Sequence, residues 1–299
     1  MNEAFLETLS TSFEEIFFLI GLAILVVELI KLLFQPAGKA RTFLDMVASL
    51  STQVPSILIE TVVFGTAFVA YTWLADSVVS WTLPLNGWTL VLTLLACDFV
   101  YYWEHRLAHE IRLAWTQHAV HHSSRFMNIT VAVRFGPFEG ILSALLHAPL
   151  VLLGLPPVAI VAGIIVVLAY QTWIHTETIG RLGFLDRVLN TPSNHRVHHG
   201  CDEKYLDKNY GGILIVWDRL FGTYRAEEER PRYGLKRDFN SVNPLTVWVS
   251  ELPGLFRDLA NAQSSREWIM RLFAHPSWQP VAKHNKESGQ CSRGVVSDQ

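Results

Sequence analysis

With 299 residues, half of them hydrophobic and only 17% charged, the chain is long enough for one large domain or two small ones and has the composition of a membrane protein. Its net charge of −3, with basic and acidic residues mixed from Arg181 onward, leaves no nucleic-acid footprint. Three dispersed cysteines, Cys97, Cys201 and Cys291, exclude a disulfide framework and fit a reducing compartment.

Crossing the hydrocarbon layer takes about 20 apolar residues in a helix, because no water is there to satisfy an irregular backbone. The first such segment covers residues 16–34, with Glu28 and Lys31 near its far end. Acidic Glu3, Glu7, Glu14 and Glu15 precede it where a secretory signal would be basic, so it reads as an anchor that stays. A second segment covers residues 57–74 and has Glu60 as its one ionisable residue. The third, residues 88–103, runs straight into a histidine pair. The fourth and fifth, residues 138–153 and 158–174, are short and meet at Gly154-Leu155-Pro156-Pro157, which reads as a hairpin that spans thinly. Lys31, Lys39 and Arg41 lie between the first two segments, whereas residues 76–87 carry no Lys or Arg. Basic residues favour the cytoplasmic side, so the chain is expected to start outside. The regions after the third and fifth segments then share the cytoplasmic face.

Those regions hold eight of the twelve histidines, in the clusters His105-x-x-x-His109, His118-x-x-His121-His122 and His195-x-x-His198-His199. A lone histidine is more often a hydrogen-bonded core residue or a surface group than a ligand. Here the H-x-x-H-H pattern occurs twice, each time near an apolar segment. Residues three and four apart share a helix face, so each cluster presents several neutral nitrogen donors together. Three clusters exceed what one tetrahedral zinc can use, which points to two metal ions, and imidazole suits iron as well as zinc, copper or nickel. His175, just past the fifth segment, is a ninth candidate ligand, and Gln171 one turn earlier is a weaker one. His147, His275 and His284 have no partners at ligand spacing and stay outside the site.

Metal-bound imidazoles usually donate their second N–H to a carboxylate or carbonyl. Asp98, Glu104, Glu110, Glu177 and Asp202 are candidates for that outer role, with Asp98 foremost because an acid inside an apolar helix is costly. Two other classes fit less well. A divalent metal transporter should carry its ligands within its spanning segments rather than beside them. A zinc hydrolase should show His-Glu-x-x-His or an evident nucleophile, and neither is found.

The three histidine boxes, with Asp98-Phe99-Val100-Tyr101-Tyr102-Trp103-Glu104-His105 leading into the first, resemble the fatty acid hydroxylase and sterol desaturase superfamily of integral membrane di-iron enzymes. Trp173-Ile174-His175-Thr176-Glu177, Asn190-Thr191-Pro192-Ser193-Asn194-His195, Asp207-Lys208-Asn209-Tyr210-Gly211-Gly212 and Trp217-Asp218-Arg219-Leu220-Phe221-Gly222-Thr223 are similar to its alkylglycerol monooxygenase branch. The resemblance runs from about Asp98 to Thr223.

It implies two iron ions (Fe2+/Fe3+) that use O2 as co-substrate to attack a C–H bond of a lipid. The implied ligands are His105, His109, His118, His121, His122, His175, His195, His198 and His199. Asp98, Glu177 and Gln171 are the expected outer groups. Some members carry a histidine where this chain has Gln171, which leaves one coordination number open. No His-Pro-Gly-Gly haem segment, nucleotide-binding glycine fingerprint or iron–sulfur cysteine set is present, so electrons are expected from a separate ferredoxin-like or cytochrome b5-like donor, or a reductase. Hydroxylation is the favoured reaction, with desaturation and ether cleavage open on the same site. Sterols, fatty acyl chains, ether lipids and aminolipids are all open as substrates.

The expected fold is all-α: a polytopic membrane helix bundle with a cytoplasmic, His-rich helical cap that holds a dimetal site. Its expected parts are N-terminal membrane helices (1–87), a catalytic region (88–225), a C-terminal cytoplasmic segment (226–281) and a polar, disordered tail (282–299). Oligomeric state is not legible.

Overall fold

A computed structural model describes residues 3–79 and 81–280; the expected tail lies outside the described residues. Among these, the regular structure is helical, with two isolated β-bridges, Leu189 to Leu214 and Gly200 to Tyr233, and no strand. Helix α1 (Glu3–Leu33) turns at Gly38, whose φ of 76° lies in the left-handed region glycine adopts freely, into α2 (Lys39–Ser77). Asn86 caps α3 (Gly87–Glu110) by accepting from the Thr89 N–H at 3.1 Å. The chain kinks at Ile111, which has an extended backbone, and continues as α4 (Arg112–His122).

Helices α5 (Glu139–Leu152) and α6 (Pro157–Gln171) form the expected hairpin. Gly154 turns it with φ 78°, and the Trp81 ring lies so close that a Cβ there would sit 2.4 Å from it. Short helices α7 (Pro192–His198), α8 (Val216–Phe221), α9 (Pro244–Trp248), α10 (Leu252–Ala260) and α11 (Ser265–Phe273) complete the cap.

The apolar core lies between α2, α3, α5 and α6 and includes Tyr71, Cys97, Val151, Ile160 and Val167. Gly163 lets α6 approach α3 closely, since a Cβ there would meet Cys97 Sγ at 2.8 Å. The outer faces of α1 and α2 expose Phe18, Leu19, Leu58, Val62 and Val69, a surface suited to lipid rather than water. The protein is a membrane protein.

Among the described residues, three helical stretches, Thr11–Leu33, Lys39–Ser77 and Pro157–Ile174, are long and apolar enough to cross a bilayer. They correspond to the first, second and fifth expected segments. The fourth falls short because α5 has 14 residues, about 21 Å of helix against a hydrocarbon layer of about 30 Å. The third is long enough, but α3 carries Asp98, Glu104 and Arg106 along its length.

At 39 residues, α2 runs about 58 Å, far more than a bilayer needs, and its first part lies beside the cap. There Asp45 pairs with Arg134 at 3.0 Å, and Ser56 accepts from Trp248 Nε1 at 3.1 Å. Ala48, Val120, Phe239 and Val247 form a second apolar cluster that joins α2, α4 and the segment after residue 226.

Candidate metal centre

Each histidine cluster sits on the element its spacing suggests. His105 and His109 lie one turn apart at the end of α3, and His118, His121 and His122 close α4. Pro192 starts α7 at its first position, where the missing N–H costs nothing, and that helix carries His195 and His198 into the cage. His199 follows as its cap, and His175 ends the short 3-10 turn after α6. All nine are buried.

The nine rings divide into two groups. His105, His109, His118, His122 and His198 form one, and His121, His175, His195 and His199 the other; within each, the donor atoms lie within 4.8 Å of one another. Both H-x-x-H-H doublets are split between the groups. Neighbouring helical residues point about 100° apart, so a doublet feeds two centres, whereas residues four apart (His105 and His109, His118 and His122, His195 and His199) feed one.

The outer nitrogens fix how the inner ones point. His105 Nδ1 meets the Tyr210 carbonyl at 2.9 Å, His175 Nδ1 the Gln171 carbonyl at 2.8 Å and His198 Nδ1 the Lys208 carbonyl at 3.0 Å. His118 Nδ1 meets Glu139 Oε1 at 2.5 Å, and His109 Nδ1 faces Asp207 Oδ1 at 3.5 Å. An oxygen acceptor at Nδ1 places the proton there and leaves Nε2 as a bare lone pair. The Nε2 atoms converge. His105 and His122 Nε2 lie 3.0 and 3.2 Å from His118 Nε2, and His195 Nε2 lies 2.7 Å from that of His175 and 3.1 Å from that of His199.

Facing lone pairs repel unless a cation sits between them. Among the described residues, the buried Nε2 atoms of His109 and His198 find no hydrogen-bond partner, as expected of groups aimed at such a cation. Six-coordinate bonding at about 2.1 Å sets adjacent donors about 3.0 Å apart, so the donor set fits octahedral metal ions. Burial also keeps the imidazoles neutral and ready to bind. It pushes His109 and His175 down to about 4, and His121, His122, His195, His198 and His199 well below the ordinary value.

Of the expected outer groups, Gln171 meets a cage histidine through its backbone and the others stand elsewhere. Asp98 accepts from the backbone of Ile213 at 2.6 Å and Leu214 at 3.2 Å and from Trp217 Nε1 at 2.8 Å. It meets no histidine but braces the loop whose Tyr210 carbonyl holds His105. Glu177 pairs with Arg230 at 2.6 Å, Glu110 with Arg106 at 2.8 Å and Asp202 with Arg232 at 2.6 Å. Glu104 lies 3.8 Å from His147. Gln171 contributes its backbone carbonyl to His175, while its side chain donates back to Val167 O at 3.2 Å.

The carboxylates that do meet cage histidines, Glu139 and Asp207, lie 21 residues after His118 and 98 after His109, so no local spacing marks them. Asp207 has φ 56°, an unusual conformation for a non-glycine residue. Glu28 on α1 was also not anticipated in the site. It accepts from the Ile129 N–H at 2.9 Å and from the Thr176 hydroxyl, and so ties the first helix to the residue beside His175.

Residues 90–223 match the fatty acid hydroxylase family, and that stretch contains all nine histidines. Across it, the chain is similar to members of that family. Among similar proteins, human alkylglycerol monooxygenase is 35% identical over 248 residues, which cover 82% of this chain and 55% of that protein. The ornithine lipid hydroxylase OlsE of Rhizobium tropici is 36% identical over 137 residues, 45% of this chain and 41% of that one. A Delta(7)-sterol 5(6)-desaturase of Gibberella zeae is 30% identical over 139 residues, 46% of this chain and 38% of its own length. The chain spans about half the length of the alkylglycerol monooxygenase it matches. No solved structure matches it.

Proposed function

We propose that this protein is a membrane-bound, non-haem di-iron oxidoreductase that uses dioxygen to hydroxylate a C–H bond of a lipid. The observation that carries the reading is the convergence of nine buried histidines into a five-donor and a four-donor group beside membrane-length helices. Relatives named monooxygenase, hydroxylase and desaturase support the reaction class. The five-nitrogen set exceeds the four ligands that a structural zinc takes, and imidazole donors suit iron.

The overall change is R–H + O2 + two electrons + two protons giving R–OH + H2O. The irons, held by His105, His109, His118, His122 and His198 and by His121, His175, His195 and His199, would supply the reducing equivalents that dioxygen cleavage consumes. The chain's own residues do the rest. Tyr210, Lys208 and Gln171 carbonyls hold their histidines in one tautomer, and Glu139 and Asp207 do so with a charge. The closed helical shell keeps water from the reacting centre. With no electron-carrier motif in the chain, the electrons come from a separate ferredoxin-like or cytochrome b5-like protein, or a reductase. Basic Lys31, Lys39 and Arg41 support a cytoplasmic placement of the cage.

Purified protein from iron-supplemented cells should hold two irons per chain. Lipid extracts from expressing cells should contain a species heavier by one oxygen than its counterpart in cells lacking the protein. A species lighter by two hydrogens would instead mark desaturation. Metal-free protein with full turnover would end the proposal.

A further inference from the structure

A shallow groove of about 290 Å3 opens on the lipid-facing side between α2 and α6, with walls of Ile57 and Phe64 on one helix and Val161, Ile165 and Leu168 on the other. One charged residue, Glu60, lines it. Among the described residues Glu60 has no hydrogen bond or ion pair. An acid in a spanning helix without cation or donor is costly, and such residues mark binding sites far more often than packing. A larger hollow of about 410 Å3 further along α2, between Phe68 and Asp76, is walled by that helix alone.

The depth of Glu60 narrows what can meet it. The cap covers α2 as far as Ser56, which donates to the Phe135 carbonyl at 3.4 Å and accepts from Trp248. From Ile57 to Ser77 the helix runs about 31 Å, the thickness of the hydrocarbon layer. Glu60 is therefore one turn inside the bilayer, at the depth of lipid polar ends. On the other wall, Leu168 is one turn before Gln171, whose carbonyl holds His175.

The groove also adjoins the cage from the side. Gly140 of α5 packs on Glu60, with its Cβ position 3.6 Å from Glu60 Cγ, and its neighbour Glu139 holds His118 at 2.5 Å. The walls of the groove are largely apolar and stand on two helices long and apolar enough to cross a bilayer, so the occupant that fits is a lipid.

We infer that the α2/α6 groove docks the lipid substrate and that Glu60 selects it by accepting a hydrogen bond from its polar end. This deepens the proposed lipid hydroxylation and rests on it. The lipid must bear a donor at that end, a hydroxyl or an ammonium N–H, with its chain against Ile57, Phe64 and Leu168. A polar end that is fully methylated offers Glu60 nothing to accept. Glu60 acts here as a specificity-determining residue and takes no part in holding metal.

The test uses the full chain in phosphatidylcholine nanodiscs and three photoreactive lipids with the same diazirine-bearing chain, ended by a diol, a primary amine or a trimethylammonium group. The diol or the amine probe should label peptides containing residues 57–64 or 161–168, and the trimethylammonium probe should label them at least about tenfold less, as befits a charge-assisted hydrogen bond. Labelling by the diol alone identifies a hydroxyl lipid, and by the amine alone an aminolipid. Glu60→Leu and Ile165→Trp should each lower labelling about tenfold with bound metal unchanged. Glu60→Gln, which keeps an acceptor, should retain diol labelling within about threefold. Equal labelling by all three probes, or Glu60→Leu labelled like the parent, overturns the inference. Labelling is read without turnover, so protein that labels as expected yet holds no iron would sink the di-iron reading and leave the lipid site standing.

Discussion

The rings of His122 and His199 lie stacked, with centroids 4.4 Å apart and planes at 24°, although each belongs to a different donor group. They form the wall between the two centres, and each has its chain neighbour, His121 or His198, in the opposite group. A mutation at one doublet position therefore touches both centres, through the lost donor on one side and the lost ring contact on the other.

That arrangement predicts unequal tolerance. His199→Ala leaves three nitrogens in its group, whereas His109→Ala leaves four in the other. His199→Ala should bind about one metal ion per chain and lose turnover by at least about 100-fold. His109→Ala should keep its metal until challenged with chelator. Metal analysis during a chelator titration checks the order, and equal loss from both variants would show that the groups are not separate centres.

Glu139 holds His118 from outside the cage at 2.5 Å. Replacing such an outer carboxylate typically costs about 10- to 100-fold in metal affinity. Glu139→Gln should show that loss in the five-histidine centre alone, while Glu177→Gln, whose carboxylate pairs with Arg230 at the surface, should bind metal like the parent. Competition with a chelating dye measures both. A Glu177→Gln variant as weak as Glu139→Gln would restore the importance its position beside His175 suggests in the sequence.

The fully buried Arg134 is anchored to Asp45 at 3.0 Å, to Ser49 Oγ at 3.2 Å and to the Val120 carbonyl at 3.1 Å, which fixes the last turn of α4 against α2. Breaking a buried ion pair from one side leaves an uncompensated charge and typically costs about 3–5 kcal/mol. Asp45→Leu should therefore lower thermal stability sharply. The double variant Asp45→Leu with Arg134→Met removes both charges and should recover most of it. A double variant no better than the single would mean the network, rather than the stranded charge, sets the cost.

The histidine clusters, their placement at helix ends and the α5/α6 hairpin were legible because each depends on local spacing: i, i+4 for a shared face, and Gly-Leu-Pro-Pro for a turn. The division of the doublets between two centres was not, since it depends on how α4 and α7 cross. The outer partners were the least legible. Asp98 carries the same signal as a ligand-supporting acid, a charge in an apolar helix, yet it meets backbone N–H groups of residues more than a hundred positions away. Three of the actual partners are backbone carbonyls, of Tyr210, Lys208 and Gln171, which no side-chain pattern can announce. The fourth segment, read as spanning thinly, is the 14-residue α5, shorter than the helix a bilayer requires.

The depressed histidines give the metal-free protein a defined acid sensitivity. His109 and His175 titrate near 4 when folded, against an ordinary value of 6.5. Between those pH values the unfolded chain binds more protons than the folded one, so stability rises with pH across the window and falls as the pH drops from about 6.5 toward 4. Each group contributes on the order of 3 kcal/mol over the whole interval. Metal-free protein in nanodiscs should accordingly melt at progressively lower temperature from pH 6.5 down to pH 4, with little change between pH 7 and 8. Metal-loaded protein should hold its melting temperature until protons displace the ions, and then fall abruptly together with released metal. A metal-free melting temperature that is flat from pH 6.5 to 4 would show that the cage histidines are exposed to solvent, contrary to their burial.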